Sequence, residues 1–205
     1  MIRAVVFDIG NVLIGWRPES WYDAKIGEAR RRALFAAVDL TAMNLRIDLG
    51  QNARETVYET AAAHPDFAEE IRFWHDHWIE IASPLIPHSL RLMRALRAKR
   101  VPVFALTNFG ADTFEIARAH YPFFDEFDRA FVSGRMGVLK PDPEIYRIVE
   151  AESGLPPEAL LFADDKPENV EAARARGWKA HLFEGPEGWT RRLVDEGLLT
   201  ESEAA

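Results

Sequence analysis

Six polar residues stand in this sequence where an α/β fold does its chemistry. Asp8, Thr107-Asn108 and Asp164-Asp165 each follow a short apolar run, and Lys140 lies on a loop just before Pro141. Ala4-Val5-Val6-Phe7 runs into Asp8 without polar alternation, as a strand buried on both faces of a parallel sheet does. Val101 to Leu106 and Leu160 to Ala163 read the same way. Ligands of open parallel sheets bind just beyond the carboxyl ends of the strands, so these groups are expected along one edge. Each has a plain alternative: Asp and Asn cap their own turns, Asp164-Asp165 can cap the helix that starts at Pro167, and a lysine before a proline can simply be solvated. Taken together, carboxylates, a hydroxyl, an amide and an ammonium suit a hard, oxygen-bound cation and a phosphate. The carboxylates bind Mg²⁺, while Thr107, Lys140 and loop N–H groups hold phosphate oxygens. Adjacent Asp164 and Asp165 repel each other without a cation, and their pairing itself favours a metal.

The elements that must carry these groups follow from periodicity. After Leu13 the pattern turns helical as far as about residue 87, clearest over Ser20 to Val38, Ala53 to Ala63 and Asp66 to Ile81. Asn52 is the expected cap of the second helix with Glu55 as its capping-box partner, and Asp66 that of the third with Glu69. Leu49-Gly50-Gln51 reads as a break between helices. The aromatic residues of this block, Trp16, Trp21, Tyr22, Phe35, Trp74 and Trp78 among them, supply the core of a small inserted bundle. His75 and His77 are two residues apart, face different ways on a helix and read as a solvated face, not a metal site.

From Ser89 onward helix and strand alternate: helix Ser89 to Arg100, strand Val101 to Leu106, helix Ala111 to His120, strand Ala130 to Val132, helix Glu144 to Ser153, strand Leu160 to Ala163, helix Pro167 to Arg176, strand Lys179 to Phe183 and helix Trp189 to Glu196. The acidic end is expected to fray. The order predicts a Rossmann-like parallel sheet over residues 1–15 and 88–205, with an inserted helical cap over residues 16–87.

Composition narrows the class. The 205 residues carry a net charge of −8, with 48% hydrophobic residues and no cysteine. Disulfides, thiol catalysis and cysteine-bound zinc are excluded. The acidic balance argues against nucleic acid or an anionic membrane as partner. With no signal-like segment and no apolar run of spanning length, a cytoplasmic enzyme is expected. Its oligomeric state is not legible.

Four segments, in order, resemble the motifs of the haloacid dehalogenase superfamily, in the subgroup with a helical cap after the first motif. They are Val5 to Leu13 around Asp8, Ala105-Leu106-Thr107-Asn108, Lys140-Pro141, and Leu161 to Asp165. The resemblance implies that Asp8 attacks phosphorus and forms an aspartyl-phosphate, that Thr107 binds phosphoryl oxygens with Asn108 flanking the site, and that Lys140 balances the charge on Asp8 and the phosphate. It implies a Mg²⁺ ion held by the Asp8 carboxylate, the Gly10 carbonyl and Asp165. Asp164 would be ligand or support, and Asn169 a further support.

One position departs from the pattern. Most phosphatases of the superfamily carry a second aspartate two residues after the nucleophile, which protonates the leaving group; here that position is Gly10. The carbonyl role survives, the acid–base role does not, and that role is worth about 10²–10⁴-fold. A slow enzyme, an easy leaving group or a replacement acid follows. The Asp-x-Gly-Asn-Val variant also resembles a bacterial sugar-phosphatase branch that includes glucose 1-phosphate phosphatases. The leading expectation is therefore a Mg²⁺-dependent hydrolase of a small phosphorylated metabolite. The alternatives are a 2-haloacid dehalogenase, which needs no metal, and a catalytically weak binding protein on the same fold. Trp16 and Arg17 are expected near the entrance of the site, with Trp16 equally able to pack at the hinge.

Overall fold

The computed structural model describes residues 1–204. Five strands form one parallel sheet: β1 Ala4–Phe7, β2 Val103–Thr107, β3 Arg129–Val132, β4 Leu160–Asp164 and β5 Lys179–Leu182, in the order β3-β2-β1-β4-β5. β1 is central, so the chain leaves it in one direction for β2 and β3 and in the other for β4 and β5. That reversal beside β1 is the ligand crevice of doubly wound sheets.

Helices follow in chain order. Between β1 and β2 lie α1 Pro18–Ile26, α2 Glu28–Ala37, α3 Leu40–Asp48, α4 Ala53–Ala63, α5 Ala68–Asp76, α6 Trp78–Ile81 and α7 Pro87–Ala98. Beyond β2 come α8 Ala111–His120, the single turn α9 Ser133–Met136, α10 Pro143–Ser153, α11 Pro167–Ala175 and α12 Pro186–Asp195. Among the described residues no helix is long and apolar enough to cross a membrane.

The unbroken apolar runs of the strands are explained by two cores. Val5, Phe7, Val103, Ala105, Leu161 and Ala163 face α7, α8 and α12 through residues such as Met93, Leu96, Phe114, Trp189 and Leu193. Ala4, Val6, Phe104, Leu106, Leu160 and Phe162 face α10 and α11 through Ile145, Tyr146, Val149, Val170 and Ala173. Alternate side chains thus enter opposite cores, each large one contributing ~1.5–3 kcal/mol on burial. A third cluster, including Tyr22, Leu34, Ile47, Val57, Ile71, Trp74 and Ile81, is built wholly from residues between β1 and α7. The helical block is tied to the sheet by two paired connections: Gly15 N donates to Pro84 O (2.8 Å), Ile86 N to Leu13 O (2.8 Å) and Arg17 N to Ile81 O (3.2 Å). A Cβ on Gly15 would lie 2.7 Å from Ser83 O, so only glycine lets these strands approach.

Several boundaries differ from the sequence expectation. The long helix expected over Ser20 to Val38 is two, because Gly27 adopts φ 82° and ends the first. The segment Asp66 to Ile81 is also divided: Pro65–Phe67 forms a 3₁₀ turn, α5 starts only at Ala68, and Asp66 makes no side-chain cap. Asn52 does cap α4, its Oδ1 accepting from Glu55 N at 2.9 Å, although the reciprocal half of the capping box is not made. The acidic end is docked, not frayed: Glu203 bonds Lys99 Nζ (2.9 Å) and Thr200 N (2.8 Å), and Ala204 is buried.

Candidate active site

Asp8 leaves the end of β1 with its N–H donated to Ala163 O on β4 (2.9 Å). This bond fixes the backbone of a residue only 7% exposed as a whole. Lys140 reaches it from the loop before α10. Its Nζ lies 2.9 Å from Asp8 Oδ1, 2.6 Å from Asp164 Oδ2 and 2.8 Å from Leu106 O, so all three ammonium protons have acceptors. Burial works against this ammonium, but Asp164 and Asp8 outweigh it and hold the lysine above its ordinary pKa. Asn108 fixes the loop from the other side. Its Oδ1 accepts from Lys140 N (2.8 Å) and its Nδ2 donates to Lys140 O (2.9 Å). The Asn108 side chain, expected to flank substrate, is therefore engaged with the lysine's own peptide groups.

Asp164 is fully buried at the end of β4. Its oxygens accept from Lys140 Nζ, from Asn169 Nδ2 (2.9 and 3.0 Å) and from Lys166 N (2.8 Å). Asn169 in turn is anchored by Tyr146, whose hydroxyl donates to Asn169 O (2.9 Å). Asp165, one residue on, is half-buried and accepts from Asn11 Nδ2 at 2.9 Å. Asn11 holds three things at once: its N–H donates to Ile14 O (2.6 Å), its Oδ1 accepts from Trp16 N (2.9 Å), and its Nδ2 orients Asp165. It does so at φ 55°, a region Asn tolerates better than most residues.

Among the described residues, Asp8, Asp164 and Asp165 form the one acidic cluster whose ligand atoms lie within 4.8 Å of one another. Burial pushes the Asp8 carboxyl up to about 7; Lys140 opposes this, while Asp164 and Asp165 reinforce it. Burial likewise raises Asp165, against the Asn11 hydrogen bond. Three carboxylates against one ammonium leave negative charge in excess, and an all-oxygen set of this kind is what Mg²⁺ takes. The residues fit that ion.

A cavity of about 440 Å³ opens over these groups. Asp8, Gly10, Thr107, Lys140 and Asp165 line it from the sheet side, Thr107 almost wholly buried at the end of β2. The helical block lines the opposite side with Phe35, Leu40, Leu45, Trp74 and Trp78, interrupted by Asn44 and Asp48. Trp16 does both things expected of it. It lines the cavity and packs at the connection, its ring 5.6 Å from Trp74 and 6.0 Å from Trp78. Arg17 does not line the cavity and is exposed. His75 and His77 bond Asp76 and Glu80, away from the cavity.

Two residues of the site were not found by sequence reasoning. Asn11 is legible in the sequence only as part of the Asp-x-Gly-Asn-Val motif, with no role of its own; the structure places it between the Asp8 turn and Asp165. Asp48 was passed over beside the Leu49-Gly50-Gln51 break. Its placement comes from the fold: Gly50, at φ 108°, presses onto the sheet edge so closely that a Cβ there would lie 2.6 Å from Gly134 O.

A family model described as "Hydrolase: haloacid dehalogenase-like hydrolase" matches residues 2–177. The chain is similar to drimenol cyclase drtB of Aspergillus calidoustus, with 23% identity over 202 residues; the match takes in 95% of the chain but only 36% of that protein's length. D-ribitol-5-phosphate phosphatase of Bacteroides thetaiotaomicron is 22% identical over 206 residues, covering 95% of the chain and 98% of that protein. Among solved structures, HAD family enzyme bt-2542 from Bacteroides thetaiotaomicron superposes with a TM-score of 0.73 at 21% identity, over 94% of this chain and 98% of that one. That enzyme has also been crystallised in complex with magnesium and inorganic phosphate.

Proposed function

We propose that this chain, which belongs to the haloacid dehalogenase-like hydrolases, is a Mg²⁺-dependent phosphatase of small phosphomonoesters, sugar phosphates among them, working through an aspartyl-phosphate on Asp8. The observation that carries this reading is the end of β1: a buried carboxylate 2.9 Å from the Lys140 ammonium, inside a three-carboxylate set, at the floor of the cavity. One Asp8 oxygen attacks phosphorus, and the leaving alkoxide departs on the cavity side. Lys140 neutralises charge on Asp8 and on the phosphoryl oxygens, and the Thr107 hydroxyl donates to the phosphoryl group. Asp8, Asp165 and the Gly10 carbonyl would hold Mg²⁺, which when bound offsets the charge of the phosphoryl group. Asp164, whose oxygens are already occupied by Lys140, Asn169 and Lys166, serves as the support that positions Lys140 and the neighbouring ligand. Residues 16–87 act as the cap, and Trp16, Trp74 and Trp78 meet the leaving group. The excess of carboxylates counts against the metal-free dehalogenase alternative.

The test is hydrolysis of p-nitrophenyl phosphate with and without Mg²⁺, beside chloride release from 2-chloropropionate. Mg²⁺-dependent phosphate release that Asp8→Asn abolishes, in a variant that still melts cooperatively, is the expected result. Halide release without metal, or phosphatase activity persisting in Asp8→Asn, would overturn the assignment.

A further inference from the structure

We propose that Asp48, carried on the helical insertion, is the residue that protonates the leaving group and then activates water, in place of the side chain that Gly10 lacks. The inference rests on the phosphatase reading above.

Gly10 lies two residues beyond the nucleophile and lines the cavity, and the nearest atom to a Cβ built there is Trp16 Cβ at 4.0 Å. The position two residues beyond Asp8 therefore supplies no acid of its own. The described lining contains no histidine, cysteine or tyrosine. Of its carboxylates, Asp8 and Asp165 belong to the nucleophile and metal set. Glu19 and Asp39 are exposed, and Asp39 Oδ1 is occupied as the cap of α3 by Ala42 N (2.8 Å). Asp48 remains, at the end of α3, half-buried and lining the cavity across from the sheet edge.

Its geometry is held from both sides. Asn44 Nδ2 donates to Asp48 Oδ2 (2.8 Å), while Asn44 Oδ1 accepts from Trp74 Nε1 (3.1 Å). From the sheet edge, the Ser133 hydroxyl donates to the Asp48 carbonyl (2.7 Å), and the Gly110 N–H lies close enough to the carboxylate to favour its charged form. A solvated helix end needs none of this. Burial pushes the carboxyl up to about 7, against the pull of Lys166, the Gly110 N–H and Lys140 and with the push of Asp8. Arg46 on the same helix is paired with Glu59, and Asp112 from α8 is engaged with Ala53 N. An acid whose pKa lies near the operating pH can both give and take the proton. Lys166 also lines the cavity, but it is exposed, without the fixed placement that Asn44 gives Asp48.

The steps balance. As an Asp8 oxygen bonds phosphorus, the bond to the leaving oxygen breaks with its electron pair on that oxygen, and the Asp48 proton moves there to release the alcohol. The Asp48 carboxylate then takes a proton from water as the water oxygen bonds phosphorus and the bond to Asp8 breaks. Phosphate leaves, with Asp8 ionised and Asp48 protonated as at the start.

The experiment measures first-turnover alcohol release in excess enzyme with Mg²⁺, using glycerol 2-phosphate and p-nitrophenyl phosphate. Asp48→Asn and Asp48→Ala should slow the alkyl ester by about 10²-fold or more and the nitrophenyl ester by less than about 10-fold. Two variants guard against a loss of fold in either one. Gly10→Asp added to Asp48→Asn should restore the alkyl ester preferentially, which a merely structural role of Asp48 would not allow. Equal losses on both esters, or no loss on either, would overturn the assignment. So would the same leaving-group signature in Lys166→Met. A wild type inactive on both esters would instead overturn the phosphatase reading, and this assignment with it.

Discussion

Replacing Lys140 with methionine keeps the stem in its slot and removes one charge, which isolates what that charge does. The side chain is 1% exposed and its ammonium touches Asp8, 11% exposed, and Asp164, 0% exposed. Removing one partner of a buried ion pair typically costs ~3–5 kcal/mol, because the other charge is left behind. The lower end applies here, since two carboxylates remain but Asp8 can take up a proton and Asp164 keeps the Asn169 and Lys166 donors. About 3 kcal/mol in a chain of this size corresponds to a melting temperature lowered by roughly 6–12 °C. The sign of the pH dependence follows. Carboxyls whose folded-state pKa is raised contribute stability that is fully present below their unfolded pKa, near ~4, and is lost as pH rises through the folded value. Lys140 holds the Asp8 value down, so without it that folded value rises further. The deficit relative to wild type should therefore be small near pH 4 and grow through pH 7, and it should shrink when Asp164→Asn is added. Thermal melts in the presence of a chelator, at pH 5 and pH 8, read it directly. A deficit under ~1 kcal/mol at pH 8, or one equal at both pH values, would refute the charge argument.

Other perturbations have separate readouts. Asp165→Ala should weaken Mg²⁺ binding by calorimetry by tenfold or more, and Asn11→Ala, which frees Asp165 and Trp16 N, by a smaller factor of the same sign; unchanged affinity in both would move the metal elsewhere. Gly10→Asp in the wild-type background should fold normally, within ~1 kcal/mol of wild type by chemical denaturation, because its φ is not left-handed and the nearest contact is at 4.0 Å. The Asp48 carboxyl, raised to about 7 when folded, favours the native state below pH ~4 and loses that contribution as pH rises to 7. The fall in melting temperature between pH 5 and pH 8 should accordingly be shallower in Asp48→Asn than in wild type. An equal slope would show that this carboxyl does not titrate with folding.

The local code of the chain already contains the sheet and its active edge. Strands without polar alternation can only be buried on both faces, and Asp8, Thr107 and Asp164 at their ends can only share one edge if the strands run parallel. Lys140 before Pro141 and the absence at Gly10 were legible in the same way, because each is a fact about residue type and order. The division of Asp164 from Asp165 came only from the resemblance, which left Asp164 as ligand or support. Adjacent residues on a strand end point differently, and the packed neighbours, Lys140 and Asn169 on one and Asn11 on the other, show how differently the two are held. Asp48 was illegible for the same reason on a larger scale. Nothing in Leu45 to Gly50 marks a carboxylate that shares a cavity with Asp8, 40 residues earlier; that follows from Gly50 closing on Gly134 and Ser133 gripping the Asp48 carbonyl. Sequence order determines which groups a strand end presents, because backbone direction and side-chain alternation are local. Which group from a separate helical layer meets them is decided by how two apolar surfaces pack, and that is a property of the whole chain.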